Sequence, residues 1–239
     1  MRLSRGLFAA LIGAQVAYPF VPRRRLPAAT RAIVVLMLSA STAEAVAARG
    51  RRGGALVAAA GGLGFGAELL GVRTGKPFGH YHYGPTLGPR VGGVPLLAAA
   101  AWAMMARPAW VVAGSIDTRP AARVPLAAGA LTAWDVFLDP RMAADGYWTW
   151  PGGGRYEGIP ASNFLGWLAT GCGVFALWAQ VERDEPGAND DGALALYAWT
   201  WVGEAVANAW FWRRPRVAAA GAAAMGAFAL PALARRVRP

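Results

Sequence analysis

Eight long apolar blocks with no strand-like alternation constrain this chain more than any other feature. They cover residues 6–20, 32–48, 53–72, 91–106, 124–138, 159–181, 193–212 and 217–234. Several approach the ~20 residues that a helix needs to cross a bilayer. Blocks 6–20, 91–106 and 124–138 are short for that, and would need extension at their ends, tilt or burial by neighbours. A soluble helical bundle would need a polar face on each helix, and none is visible. Only 15% of residues are charged, against about 25% in a soluble domain. The expected fold is all-α: a polytopic integral membrane helix bundle, one domain over residues 1–239, multi-pass in the cell membrane. About eight transmembrane helices are expected, with seven as the close rival.

The net charge of +11 does not point to nucleic acid. The arginines form short clusters between blocks, at 23–25, 49–52, 213–216 and 235–238, which is the pattern of membrane-flanking charge. Both sides of an eight-span chain collect equal numbers of Lys and Arg, so orientation does not resolve. The N-terminal apolar run is expected to be a retained first helix, not a signal peptide. Cys172 stands alone, which rules out disulfides within the chain, and it reads as buried packing. Gly62 and Gly66 form a small-xxx-small pair that suggests close helix packing. The acidic stretch 182–191 reads as a solvated turn.

Two polar connections do not fit the oily background. One, within 73–90, runs Thr74-Gly75-Lys76-Pro77-Phe78-Gly79-His80-Tyr81-His82-Tyr83. The other, within 139–158, carries Gly146-Tyr147-Trp148-Thr149-Trp150. Both are dense in Gly, Pro and aromatics, which suggests a site and not packing.

Ionisable groups inside a membrane span are costly and usually functional. Glu44, Glu68, Asp135 and Glu204 fall within the blocks. Glu68 lies about one turn before the third helix is expected to end, near Gly71. Asp135 lies one turn before Asp139-Pro140, where the fifth helix should stop because the residue before proline resists the α region. Glu204 lies just past the middle of the seventh block, with Asn208 on the same face. Alternate blocks cross in the same direction. Parity therefore brings Glu68, Asp135 and Glu204 to one side, with the two polar connections, and Glu44 to the other. The competing reading is that each acid pairs with an arginine or caps a helix.

The inventory excludes several chemistries. Two histidines, His80 and His82, are too few for a di-iron oxygenase and poorly spaced for zinc. The only lysine, Lys76, is in a loop, which excludes a retinal Schiff base within a helix. There is no nucleophile elbow and no phosphate-binding glycine loop. Carboxylic acids, tyrosines, amides and water remain. No metal or cofactor is expected. A carboxyl in low dielectric can hold its proton near neutral pH and act as an acid. Tryptophan faces can stabilise a developing cation, and Trp134, Trp148 and Trp150 are the candidates.

Gly71-x-x-Thr74-Gly75-x-Pro77-Phe78-Gly79-x-Tyr81-x-Tyr83 resembles the first signature of the carotenoid hydratase family, CruF-type carotenoid biosynthesis membrane proteins. Asp135-x-Phe137-Leu138-Asp139-Pro140, Gly146-Tyr147-Trp148 and Gly158-Ile159-Pro160-x-Ser162-Asn163-Phe164-x-Gly166-Trp167 resemble the second. The resemblance covers roughly residues 62–170. It implies cofactor-independent addition of water across the terminal double bond of an acyclic carotenoid end, giving a tertiary alcohol. Asp135 and Glu68 are then the expected acid and water-orienting base, in either order, with Glu204 third. Tyr81, Tyr83, Asp139, Asn163, Trp134 and Phe78 would hold water or shape the pocket. The implied partners are an apolar carotenoid, the lipid bilayer and other carotenoid biosynthesis enzymes. A proton-initiated isoprenoid cyclase or isomerase would need similar groups. A membrane transporter with a proton relay and a carotenoid-presenting scaffold are the alternatives from other classes.

Overall fold

The computed structural model of the protein describes residues 2–182 and 190–237. Its described residues form seven helices: α1 (Arg2–Ala17), α2 (Leu26–Thr74), α3 (Leu96–Ile116), α4 (Pro120–Ala144), α5 (Ala161–Val181), α6 (Asp191–Val206) and α7 (Pro215–Val237). A π-helical turn, Ala207–Phe211, extends α6. Strands are confined to four two-residue pieces: β1 (His82–Tyr83), β2 (Arg90–Val91), β3 (Val94–Pro95) and β4 (Trp148–Thr149).

α2 is a hairpin of two helical arms, 26–49 and 51–74. Gly50 adopts φ 59° and ψ −151°, which only glycine takes without strain. Residues eight apart lie about 12 Å apart along a straight helix. Here a Cβ on Gly53 would stand 2.2 Å from the Ala45 carbonyl oxygen. With the arms separated, the eight apolar blocks correspond to eight helical segments. Five helices, α2 taken whole with α3, α4, α5 and α7, are long and apolar enough to cross a membrane. α1 and α6 have 16 residues each.

α3 is the most enclosed helix and packs against α2, α4, α6 and α7. It starts later than block 91–106 predicts, because residues 90–95 form the β2–β3 hairpin, and it then runs on through Pro108. α4 likewise does not stop at Asp139-Pro140 but continues to Ala144. Proline at 140 has no N–H for the Val136 carbonyl. The Tyr156 hydroxyl donates to that carbonyl instead, at 2.9 Å. Arg214 donates to the Pro140 carbonyl at 2.7 Å. These tertiary donors let the helix absorb the proline.

The packing glycines are not the expected pair. Gly62 and Gly66 face open space. Gly61 packs on Ala99 and Ala103, and Gly64 on Trp102.

The end of the bundle at the Gly50 turn holds a buried ion cluster. Arg107 on α3, fully enclosed, pairs with Glu44 at 2.7 Å, Asp190 at 2.6 Å and Glu182 at 3.3 Å. Arg49 joins Glu182 at 3.1 Å and Asp190 at 3.2 Å. Glu182 and Asp190, expected in a solvated turn, are thus ion-paired. Residues 183–189 of that stretch lie outside the described residues.

Candidate active site

The two glycine- and aromatic-rich connections clasp each other at the opposite end of the bundle. β1 pairs antiparallel with β4, His82 opposite Thr149 and Tyr83 opposite Trp148. The Gly84 N–H donates to the Tyr147 carbonyl at 2.7 Å, and the Trp150 indole N–H to the Phe78 carbonyl at 3.2 Å. A Cβ on Gly84 would fall 2.0 Å from the Gly146 carbonyl oxygen, so the clasp requires glycine there. The helices beneath also leave slots. Cβ atoms on Gly64, Gly71 and Gly166 would meet Trp102, Tyr81 and Phe78 at 2.1, 2.8 and 2.6 Å.

The clasp lowers tyrosines onto Glu68, which sits in the last turns of α2. Its Oε2 accepts hydrogen bonds from the Tyr81 hydroxyl and, at 2.9 Å, from the Tyr83 hydroxyl. Its Oε1 accepts from the Trp102 indole N–H at 3.1 Å. Burial, then the adjacent Glu68 carboxylate, push the Tyr81 and Tyr83 hydroxyls well up, so both stay protonated donors at neutral pH.

Asp135 and Asp139 lie one turn apart on α4, on one face of the helix. The Asn163 side-chain N–H₂ donates to Oδ2 of both, at 2.8 Å to Asp135. Asn163 belongs to the first turn of α5, whose N-terminal dipole favours negative charge. The Trp148 indole N–H donates to Asp139 Oδ1 at 2.9 Å. Asp135 is wholly enclosed, and its Oδ1 has no hydrogen-bond partner. That is a buried acceptor left free for a water or a proton.

A cavity of about 60 Å³ lies between the two acid groups. Glu68, Asp139 and Asn163 line it, and Asp135, one helical turn from Asp139, does not. Phe78, Tyr81, Tyr83, Trp102, Trp148, Trp150 and Trp167 line the rest. Trp102 and Trp167 stack with centroids 4.0 Å apart, and Tyr83 meets Trp148 edge-on. The combination is a small aromatic chamber with two carboxyl groups on its lining. It can give and take protons beside a group that is itself apolar.

The remaining sequence candidates lie elsewhere. Glu204 lines a separate, larger cavity, and its Oε2 accepts from Asn208 at 3.4 Å. Trp134 lines that larger cavity too, and meets Trp167 of the acid chamber edge-on. Parity therefore predicts the correct end of the bundle for Glu204 but not the chamber, because it fixes depth and not azimuth around the bundle. His80 and His82 are exposed. Among the described residues, no group of three or more His, Cys, Asp or Glu side chains could hold a metal ion.

Sequence reasoning missed Trp102, which supplies one of the three donors to Glu68. It sits in an apolar block with no polar neighbour to mark it. It also missed Arg107, a buried ion that follows directly on the apolar block 91–106.

No solved structure matches this chain. Bisanhydrobacterioruberin hydratase of Haloarcula japonica is 32% identical over 126 residues, 51% of this chain and 43% of the relative. The matched stretch thus spans less than half the length of that relative. The sequence profile of the carotenoid biosynthesis proteins matches residues 29–228, which include every residue of the acid chamber. By that match over most of its length, the chain belongs to the carotenoid biosynthesis protein family.

Proposed function

We propose that the protein is a multi-pass membrane hydro-lyase that adds water to the terminal double bond of an acyclic carotenoid end. The observation that carries this reading is two carboxyl groups on the lining of one aromatic cavity, Glu68 and Asp139, the latter joined to Asp135 through Asn163. The family match and the hydratase relative support the same chemistry.

The reaction needs one proton donor and one acceptor. In this reading Asp135 and Asp139, one turn apart and sharing the Asn163 amide, hold one proton between them, because two neighbouring enclosed carboxylates do not both ionise. They form the acid. The proton passes from Asp139 to the less substituted carbon of the double bond, leaving a tertiary carbocation on its neighbour. Trp102, Trp167 and the tyrosine rings offer π faces to that cation. Glu68, an acceptor to three donors, is the matching anion. It orients a water whose oxygen attacks the cation, and it takes the proton released. Transfer of that proton back to the aspartate pair restores the starting state. The net change is one water added, with no electrons transferred.

Expression in a host that accumulates an acyclic carotenoid tests the reading. The pigment should gain the mass of one water and carry a tertiary hydroxyl. A mass-neutral change would identify a cyclase or isomerase, and unchanged pigment a transporter or scaffold.

A further inference from the structure

Beside the acid chamber lies a second cavity of about 410 Å³. The two share Val34, Met104, Leu138 and Met142 as a common wall. Four residues that line the larger cavity also face outward. Val16 is 58% exposed, Val202 50%, Val206 44% and Phe211 50%. Side chains that line a cavity and also reach the outer surface mark its mouth. This mouth lies between α1 and α6 and is apolar, on a flank that faces lipid in the membrane reading. Two contacts span the same gap. The Trp199 indole N–H donates to Gln15 Oε1 at 2.6 Å, and Phe20 meets Phe211 edge-on with centroids 6.2 Å apart.

Volume separates the roles of the two cavities. One water occupies roughly 30 Å³ of liquid, so the acid chamber of about 60 Å³ has room for about two waters, and a chain end enters it only as lining side chains repack. The chain must leave through a wall. The shared wall is apolar and contains two methionines, whose unbranched side chains repack readily. The charged groups of the larger cavity are already engaged. Arg141 stacks on the Trp212 ring at 3.5 Å and pairs with Asp145 at 2.9 Å, and Glu204 is bonded to Asn208. Most of its remaining surface is hydrocarbon.

We propose that the larger cavity is a lateral binding channel for the long hydrocarbon chain of the substrate. The chain is received from the bilayer between α1 and α6, and its end crosses the shared wall into the acid chamber. This inference rests on the carotenoid reading above and adds the route and the chain subsite. A substrate insoluble in water then never leaves lipid.

Gly203 lines this cavity, and a Cβ there would have its nearest neighbour 3.9 Å away on Trp199. Gly203→Leu therefore starts from a Cβ that clashes with nothing and adds bulk to the lining, and Ala207→Trp adds more. The full chain is purified in detergent from a host that makes an acyclic carotenoid, and polyene absorbance per protein is read. Wild type should retain pigment. Gly203→Leu should lower the retained amount several-fold and Ala207→Trp tenfold or more, with helix content and thermal midpoint kept. Wild-type pigment retention in a folded Gly203→Leu protein overturns the proposal, even if Ala207→Trp fails to fold. Absence of pigment from the wild type overturns it as well. The mass of the retained pigment reports the hydration reading separately. Pigment bound but never hydrated supports the channel and defeats the hydratase.

Discussion

Asp135 and Asp139, one helical turn apart on α4, are joined by a single side-chain amide, that of Asn163. This bridge ties the acid pair on α4 to the start of α5. Of the two acids, Asp139 lines the chamber and Asp135 does not.

Asn163→Ala removes the donor common to both acids. The rate of product formation should fall by about 10²-fold, within the range for disrupted acid–base catalysis. Its pH profile should change shape as well, because the pair loses its shared partner. Rates measured across pH on protein with equal bound pigment check this. A uniform loss with an unaltered profile would indicate damage to packing alone.

The donors to Glu68 should rank by the bonds they make. A hydrogen bond to a charged group contributes about 1.5–3 kcal/mol. Tyr81→Phe and Tyr83→Phe should each lower turnover by roughly ten- to a hundredfold on that scale. Glu68→Gln should abolish the product while leaving pigment bound. Turnover in Glu68→Gln at the wild-type level would remove Glu68 from the mechanism.

Gly166→Ala would set a Cβ 2.6 Å from the Phe78 ring and 3.0 Å from the Pro77 backbone. Overpacking of this kind costs about 1–3 kcal/mol. The thermal midpoint should drop, and turnover should drop with it, since Phe78 lines the chamber. Gly62→Ala, in open space, should leave both unchanged.

Arg107→Leu leaves Glu44, Glu182 and Asp190 together, with Arg49 as the cation that still pairs with two of them among the described residues. Breaking a buried pair by removing one partner costs about 3–5 kcal/mol. The variant should show a strongly lowered thermal midpoint in detergent. A midpoint equal to wild type would show that the cluster contributes little to stability.

Much of this arrangement is legible in the sequence, for identifiable reasons. Block length and the missing polar faces give the helical segments. The Gly- and Pro-rich connections stand out because nothing else in the chain is like them, and they do pair, through Tyr83 and Trp148. Parity separates Glu44 from Glu68 because depth follows from counting residues. It cannot separate Glu204 from Glu68, because the angle around the bundle depends on packing between distant helices. The extension of α4 past Pro140 is hidden for a related reason. The Tyr156 hydroxyl that replaces the missing donor lies 20 residues from Val136, the residue it caps. Trp102 and Arg107 are likewise given their roles by partners on other helices, Glu68 and Glu44.

The central claim is that a protein acid protonates a terminal carbon–carbon double bond and that water captures the cation. Running the reaction in heavy water enriched in heavy oxygen tests it most directly. The product should carry one non-exchangeable deuterium on the carbon beside the carbinol and one solvent oxygen in the new hydroxyl, and Asp139→Asn should form neither. A product with deuterium but no solvent oxygen, or a hydroxyl formed without deuterium, would contradict the account.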